Sequence, residues 1–149
     1  MDVDAFIKSL QNLPLPDLTF TGMPGEMTIL AMATVFGLLQ LLVAARSNNG
    51  QRGLAWNLGA RDGEPPPVSA VAGRLERAYK NFMETFPFFA VAVLLADVTG
   101  RLSWLTLLGA VVYFGARLVY WPLYAFGVPG IRTLVWLVSM IGLGMVLAA

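Results

Sequence analysis

The chain has 149 residues, a length that suits one domain. Hydrophobic residues make up 57% of it and charged residues only 13%, whereas soluble domains carry about 25% charged residues, so the composition excludes an ordinary soluble fold. The net charge of +1 does not indicate a nucleic-acid-binding protein. The chain has no cysteine and no histidine, which excludes disulfides, protein thiols and the commonest metal ligands, so no metal is expected.

Four apolar segments are long enough to cross a bilayer as helices, which takes about 20 residues each. They run over 27–45, 82–98, 102–121 and 131–149. Backbone groups in lipid must be hydrogen-bonded internally, and the alternating pattern of a membrane barrel is missing. The sequence therefore predicts an all-α fold, an integral membrane four-helix bundle with antiparallel up-down topology.

Residues 1–26 are predicted to form an N-terminal extension ahead of a transmembrane domain over 27–149. The extension begins with acidic Asp2 and Asp4, where a signal peptide would be basic. Apolar residues recur at helical spacing over 4–13, which fits a short helix lying on the membrane surface. A loosely ordered tail is the alternative for this segment.

The connection between the first two apolar segments, residues 46–80, carries six of the ten basic residues. The positive-inside rule places this long connection in the cytoplasm and both termini on the opposite side of the membrane. Pro65, Pro66 and Pro67 end its irregular part, and proline suits a helix start. The second helix is therefore expected to begin at about Val68, well before its apolar part.

Polar residues gather at one end of this predicted bundle. An antiparallel arrangement brings together the end of the first helix, the start of the second, the end of the third and the start of the fourth. The candidate site residues there are Arg46, Arg77, Lys80, Asn81, Glu84, Arg117, Tyr120, Tyr124 and Arg132. A charge within a span costs at least about 2.5–3.5 kcal/mol on insertion scales, so Glu84 and Arg117 are expected to face a partner or a wet cavity.

Helical spacing puts these polar residues on two narrow faces, one on the second helix and one on the third. The faces could form a binding pocket, or Glu84 and Arg117 could form a structural ion pair that fixes helix register. The tyrosines could also be an interfacial aromatic belt. Several cations with one carboxylate suit a ligand such as glutathione, which has two carboxylates, one ammonium and one thiol. Spacing alone leaves other anionic ligands open.

Two segments resemble the MAPEG family, the membrane-associated proteins of eicosanoid and glutathione metabolism. Residues 74–87 (RLERAYKNFMETFP) are similar to the family's second-helix signature, in which Arg77, Asn81 and Glu84 meet the spacing. Residues 116–133 (ARLVYWPLYAFGVPGIRT) are similar to its junction between the third and fourth helices.

This resemblance implies a homotrimer that binds glutathione, as a co-substrate, between adjacent subunits near the cytoplasmic side. Lipophilic small-molecule substrates, either electrophiles or peroxides, would arrive from the lipid bilayer. By position, eight residues look like the glutathione-binding set: Arg46, Arg77, Lys80, Asn81, Glu84, Arg117, Tyr120 and Tyr124. Arg132 is similar to the arginine that some members use to stabilise the thiolate, and it is the expected catalytic residue.

Trp136 stands where eicosanoid-producing members often have tyrosine, and Thr133 replaces a serine of one branch. These departures favour a less specialised, bacterial-type member in the bacterial inner membrane. The sequence leaves two functions open. The first is a glutathione-dependent transferase or peroxidase acting on lipophilic electrophiles. The second is a non-enzymatic accessory or scaffold subunit of a membrane complex on the same fold.

Overall fold

A computed structural model describes residues 22–149 of the chain. It contains five helices over those residues: α1 Gly25–Arg52, α2 Leu54–Leu58, α3 Ala70–Val98, α4 Trp104–Phe126 and α5 Ile131–Leu147. No strand occurs in this range, which confirms the predicted all-α fold class. The surface helix predicted over 4–13 lies outside the described residues.

Three of these helices, α1, α3 and α4, are long and apolar enough to cross a membrane. Their most apolar windows have mean hydropathies of 2.1, 1.4 and 1.3. The fourth apolar segment forms α5, which is shorter at 17 residues and stands at the low end of the length that spans a bilayer. The chain thus has the helices of an integral membrane protein.

The long helices extend beyond the apolar segments that predicted them. Helix α1 continues through the polar stretch that follows Ala45 and ends at Arg52. Helix α3 begins at Ala70, where the Ser69 hydroxyl accepts a hydrogen bond from the Ala72 N–H at 3.3 Å and so caps the helix. The prediction that this helix starts well before its apolar part is confirmed.

The core draws on the three long helices and on α5. Its buried apolar residues are Ile29, Ala33, Phe89, Ala92, Val93, Ala110, Tyr113, Leu143 and Val146. The rings of Phe89 and Tyr113 are stacked, with centroids 4.1 Å apart. Helices α4 and α5 touch through their backbones, because a Cβ at Gly142 would lie 2.5 Å from the Tyr113 nitrogen and 2.7 Å from the Gly109 oxygen. Small residues thus allow close packing, as is usual between membrane helices.

Large apolar side chains point outward instead. Val35 is 67% exposed and Phe88 is 65% exposed. In water such a surface would be unfavourable, whereas in lipid it needs no cover. The outward face of the bundle is therefore suited to a bilayer.

Chain connections define two ends of the bundle. The turn between α4 and α5, residues 127–130, lies at the same end as the C-terminus of α1 and the N-terminus of α3, which we call the polar end. At the opposite end, the Thr106 hydroxyl donates to the buried Glu26 carboxylate and ties the start of α4 to the start of α1.

Candidate functional site

A cavity of about 410 Å³ opens at the polar end between α3, α4 and α5. Small-molecule sites commonly measure about 300–1,000 Å³, so this one has a typical size. Its lining residues are Arg77, Lys80, Asn81, Glu84, Tyr120, Tyr124, Arg132, Thr133 and Trp136. Seven of the nine residues predicted from the sequence line it, and we call it the polar cavity.

Helix α3 supplies the charged wall of the polar cavity. Arg77, Lys80 and Glu84 are exposed, and they share a face with Asn81 because they stand three or four residues apart. The Asn81 amide donates to a Glu84 carboxylate oxygen at 3.3 Å. Lys80 also reaches back to Glu76, with 2.8 Å between the ammonium nitrogen and the carboxylate. This ion pair partly neutralises Lys80, whereas Arg77 has no carboxylate partner among residues 22–149.

Helix α4 supplies the aromatic wall. Tyr120 and Tyr124 are one turn apart, and their rings meet edge to face with centroids 5.5 Å apart. The guanidinium of Arg117, one turn earlier, lies 5.6 Å from the centre of the Tyr120 ring. Such cation–aromatic contacts hold a guanidinium in place without neutralising it.

Arg117 lies behind the cavity wall and is only 1% exposed. Its guanidinium donates to the Asn81 side-chain oxygen at 2.9 Å and to the Thr85 hydroxyl. Arg117 therefore holds Asn81 from behind. Its Nε is buried and has no hydrogen-bond partner among the residues that the structure describes.

The ion pair between Glu84 and Arg117, one of the alternatives left open by the sequence, does not form. Within residues 22–149 the ion pairs are Arg52–Glu76 and Lys80–Glu76. Arg117 instead uses neutral partners on the same face of α3, so Glu84 keeps its carboxylate directed at the cavity that it lines. Sequence spacing could not separate these two arrangements, because Asn81, Glu84 and Thr85 lie within about one helical turn.

Helix α5 closes the polar cavity with its first turn. The Arg132 guanidinium lies over the Tyr124 ring, 4.3 Å from its centre. The turn that delivers Arg132 contains Gly127 and Gly130, both with positive φ (75° and 73°), a conformation that favours glycine. Arg74 donates to the Ala125 carbonyl at 3.1 Å, and its guanidinium packs where a Cβ of Gly127 would stand. The end of α4 is thereby fastened to α3.

Arg46 lies apart from the other predicted site residues. It is exposed and lines a separate cavity of about 730 Å³ at the end of α1. Within residues 22–149, Arg46 is not among the residues that line the polar cavity. The sequence could place it at the polar end, but not on the correct side of α1 relative to α3.

The predicted set omitted two residues that line the polar cavity, Thr133 and Trp136. Both follow Arg132 in α5, and Trp136 stands one helical turn after it, so the same spacing rule that grouped the α3 residues would have found Trp136. Its indole N–H is buried and finds no hydrogen-bond partner within the described range 22–149. Thr85, which supports Arg117, was also missed, since its role depends on a buried contact with α4.

The charges of the polar cavity are unequal, with three cationic side chains to one carboxylate. Arg77, Lys80 and Arg132 face it, and Arg117 adds a further cation behind the wall. Such a site attracts an anion, and the carboxylate and the amide add a place for a cationic group or a donor. The arrangement suits a ligand that carries more negative than positive charge.

Comparison with curated proteins and with solved structures returned no match. The model of the MAPEG family matches residues 29–149, which is most of the chain and includes every element that builds the polar cavity. The chain therefore belongs to the MAPEG family.

Proposed function

We propose that the polar cavity binds glutathione and that the protein is a membrane-bound glutathione-dependent transferase, with peroxidase activity, acting on lipophilic electrophiles. The observation that carries this proposal is the meeting of Arg77 and Glu84 of α3 with Arg132 of α5 around one cavity. Family membership supports it, since the family includes membrane glutathione transferases.

Glutathione has a charge pattern that complements this cavity. Arg77 and Lys80 would bind its carboxylates, because a guanidinium offers two parallel donors to a carboxylate and an ammonium offers a point charge. Glu84 would bind its ammonium group. Asn81, held by Arg117, would keep one orientation and donate or accept at a fixed place.

Arg132 would act on the sulfur. A cation near a thiol favours the thiolate, which is the nucleophile. Arg132 is already held over Tyr124, so little side-chain motion is needed before reaction. The thiolate would attack an electrophilic carbon and expel its leaving group. With a hydroperoxide, two glutathione molecules would give the disulfide, the alcohol and water.

The proposed assembly is a homotrimer in the bacterial inner membrane, each subunit crossing four times with its 46–80 connection in the cytoplasm. The six basic residues of that connection support this orientation. Arg46 lies outside the polar cavity of its own chain, and in the proposed trimer it would instead reach the polar cavity of a neighbouring subunit. The proposed lipophilic substrate would enter from the bilayer, and the exposed apolar side chains of α1, α3, α4 and α5 suit contact with lipid.

Turnover measurements on purified protein in nanodiscs test the proposal. With glutathione and either a chlorodinitrobenzene or a fatty-acid hydroperoxide, wild type should turn over. Arg132→Ala should lose about 100-fold in kcat, the scale of one lost electrostatic contact to a developing anion, with a smaller change in glutathione affinity. Arg101→Ala, an exposed arginine that lines a different cavity, is the matched control.

Equal kcat for Arg132→Ala and Arg101→Ala would remove the catalytic role of Arg132. If wild type also shows no turnover and no thermal stabilisation by glutathione, the enzyme proposal fails. Stoichiometric co-purification with another membrane complex would then favour the accessory or scaffold subunit.

A further inference from the structure

The segment after α1 folds back on that helix instead of leaving it. Gly53 has a φ of 82°, which lets the chain reverse between α1 and α2. The Asn57 side-chain amide then donates to the Asn49 carbonyl of α1 at 2.9 Å. Arg61 donates in turn to the Asn57 carbonyl at 2.9 Å. The reversal brings α2 and Arg61 back beside the end of α1.

This short segment presents apolar side chains that nothing in the described chain covers. Leu54 is 72% exposed and Leu58 is 78% exposed. They stand four residues apart and so lie on one side of α2. Trp56, between them, is half-buried, and tryptophan is enriched at membrane–water interfaces. Exposed leucines beside a tryptophan, next to a membrane helix, indicate contact with the bilayer surface.

Arginine side chains adjoin these leucines around the separate cavity of about 730 Å³, which we call the α2 cavity. Its lining residues are Arg46, Asn49, Gly50, Gly53, Leu54, Asn57, Leu58 and Arg61, and none of them is acidic. Neither arginine belongs to the ion pairs found over residues 22–149. Two guanidinium groups that have no carboxylate partner over residues 22–149, together with two amides, form a site for an anion with several acceptor oxygens.

The depth of the α2 cavity decides which anion suits it. Arg46 directly follows the apolar segment 27–45, so it marks the level at which α1 leaves the hydrocarbon. The α2 cavity shares that level with exposed leucines that need an apolar medium. Lipid phosphates and acyl chains meet at this level, whereas a free anion in water would leave the leucines uncovered.

We propose that the α2 cavity binds the phosphate of an anionic glycerophospholipid, with Leu54 and Leu58 inserted among the adjoining acyl chains. Arg61 contacts the phosphate together with Asn57, and Arg46 lines the deeper side. The site is separate from the polar cavity. Because Arg46 is also assigned above to the glutathione site of a neighbouring subunit, the tests rely on Arg61 and Leu58.

Native mass spectrometry of the full-length protein, titrated with phosphatidylglycerol or with phosphatidylcholine, measures the lipid site. Wild type should retain phosphatidylglycerol in preference to phosphatidylcholine. Arg61→Gln should weaken phosphatidylglycerol binding about fivefold, the contribution of one basic residue near an anionic bilayer. The control Arg101→Gln removes an exposed arginine from the other end of the bundle and should leave binding unchanged.

Equal losses in Arg61→Gln and Arg101→Gln would overturn the site, since any surface charge would then serve. Inorganic phosphate should not compete with phosphatidylglycerol. Effective competition by inorganic phosphate would overturn the lipid as the occupant and identify a soluble anion.

The absence of cysteine from the chain allows a second, independent test. A spin label on Leu58→Cys, in nanodiscs, should be reached by oxygen more readily than by a water-soluble nickel complex, as in lipid. The matched control is Glu64→Cys, exposed in the same connection and expected to behave as in water. If the two labels show the same water-like accessibility, Leu58 is not inserted and the proposal fails.

Discussion

Helices α4 and α5 pack in two different ways along their length. Near Gly109 and Gly142 their backbones are in contact, and no Cβ fits between them. Near Tyr124 and Arg132 the same two helices, together with α3, surround the polar cavity of about 410 Å³. Small residues at one end thus allow a rigid junction, and large polar side chains at the other line a space that a ligand can fill.

The two ends also differ in how polar groups are satisfied. At the far end Glu26 is buried and accepts a hydrogen bond from Thr106. At the polar end Glu84 is exposed to the cavity, and Arg117 has an Nε with no partner in the described part of the chain. A membrane protein usually keeps its charged groups paired with other polar groups or in contact with water. Charged groups whose pairing is incomplete at the polar end therefore indicate a place for a ligand.

The largest effect is expected at the rigid junction. Gly142→Ala puts a Cβ 2.5 Å from the Tyr113 backbone nitrogen, so the two helices must separate. The unfolding free energy should fall by about 1–3 kcal/mol, as for overpacked cores. Thermal unfolding in detergent measures it. Gly144→Ala is the control, since its Cβ would meet nothing within 4 Å, and similar melting of the two variants would refute backbone contact.

Removal of the buried guanidinium behind the cavity comes next. Arg117→Leu deprives Asn81 and Thr85 of a charged donor. The protein should lose about 2 kcal/mol of stability, and glutathione should bind more weakly because Asn81 is no longer held. Thermal unfolding and calorimetry give both numbers. Arg101→Leu should change neither, and an unaltered glutathione affinity in Arg117→Leu would show that Asn81 needs no support.

Two neighbouring arginines of α3 offer a crossed comparison. Arg74 donates to the Ala125 carbonyl at 3.1 Å, so Arg74→Ala should lower stability by about 1 kcal/mol. Arg77 is exposed and faces the cavity, so Arg77→Ala should weaken glutathione binding with little effect on the melting temperature. If both variants change the same quantity, the distinction between fastening and binding residues is wrong.

The smallest effect is expected at Glu76, which joins α1 and α3. Its carboxylate lies 2.8 Å from Lys80 and 3.5 Å from Arg52, and it accepts from Asn48 at 2.7 Å. These pairs are partly exposed, so Glu76→Gln should cost at most about 1 kcal/mol and less at high salt. Melting curves at two salt concentrations measure this. Glu64→Gln, exposed and unpaired in the described chain, is the control, and a loss independent of salt would contradict an ionic origin.

Helical spacing predicted much of the polar cavity because its residues recur every three or four positions on α3 and α4. Apolar length predicted the long helices for a similar reason. The order of contacts across helices could not be predicted, since a long guanidinium reaches any of several partners within one turn. Arg117 is the example, since it donates hydrogen bonds to Asn81 and Thr85 and forms no ion pair with Glu84.

The fold-back at Gly53 was also beyond the sequence pattern. Glycine signals a turn without giving its direction, and α2 has only five residues, too few for a clear apolar period. The position of Arg46 beside α2, away from the polar cavity, follows from that turn. The sequence does not give the rotation of a helix about its own axis, so it does not tell which neighbour each side chain faces.

Calorimetric titration of glutathione into the purified protein tests the central claim most directly. Wild type should bind glutathione. Glu84→Gln should bind about tenfold more weakly, a loss of roughly 1.4 kcal/mol, because the ammonium group loses its carboxylate partner. Glu64→Gln should bind as wild type does. No binding by wild type, or equal binding by wild type and Glu84→Gln, would contradict the claim that the polar cavity holds glutathione.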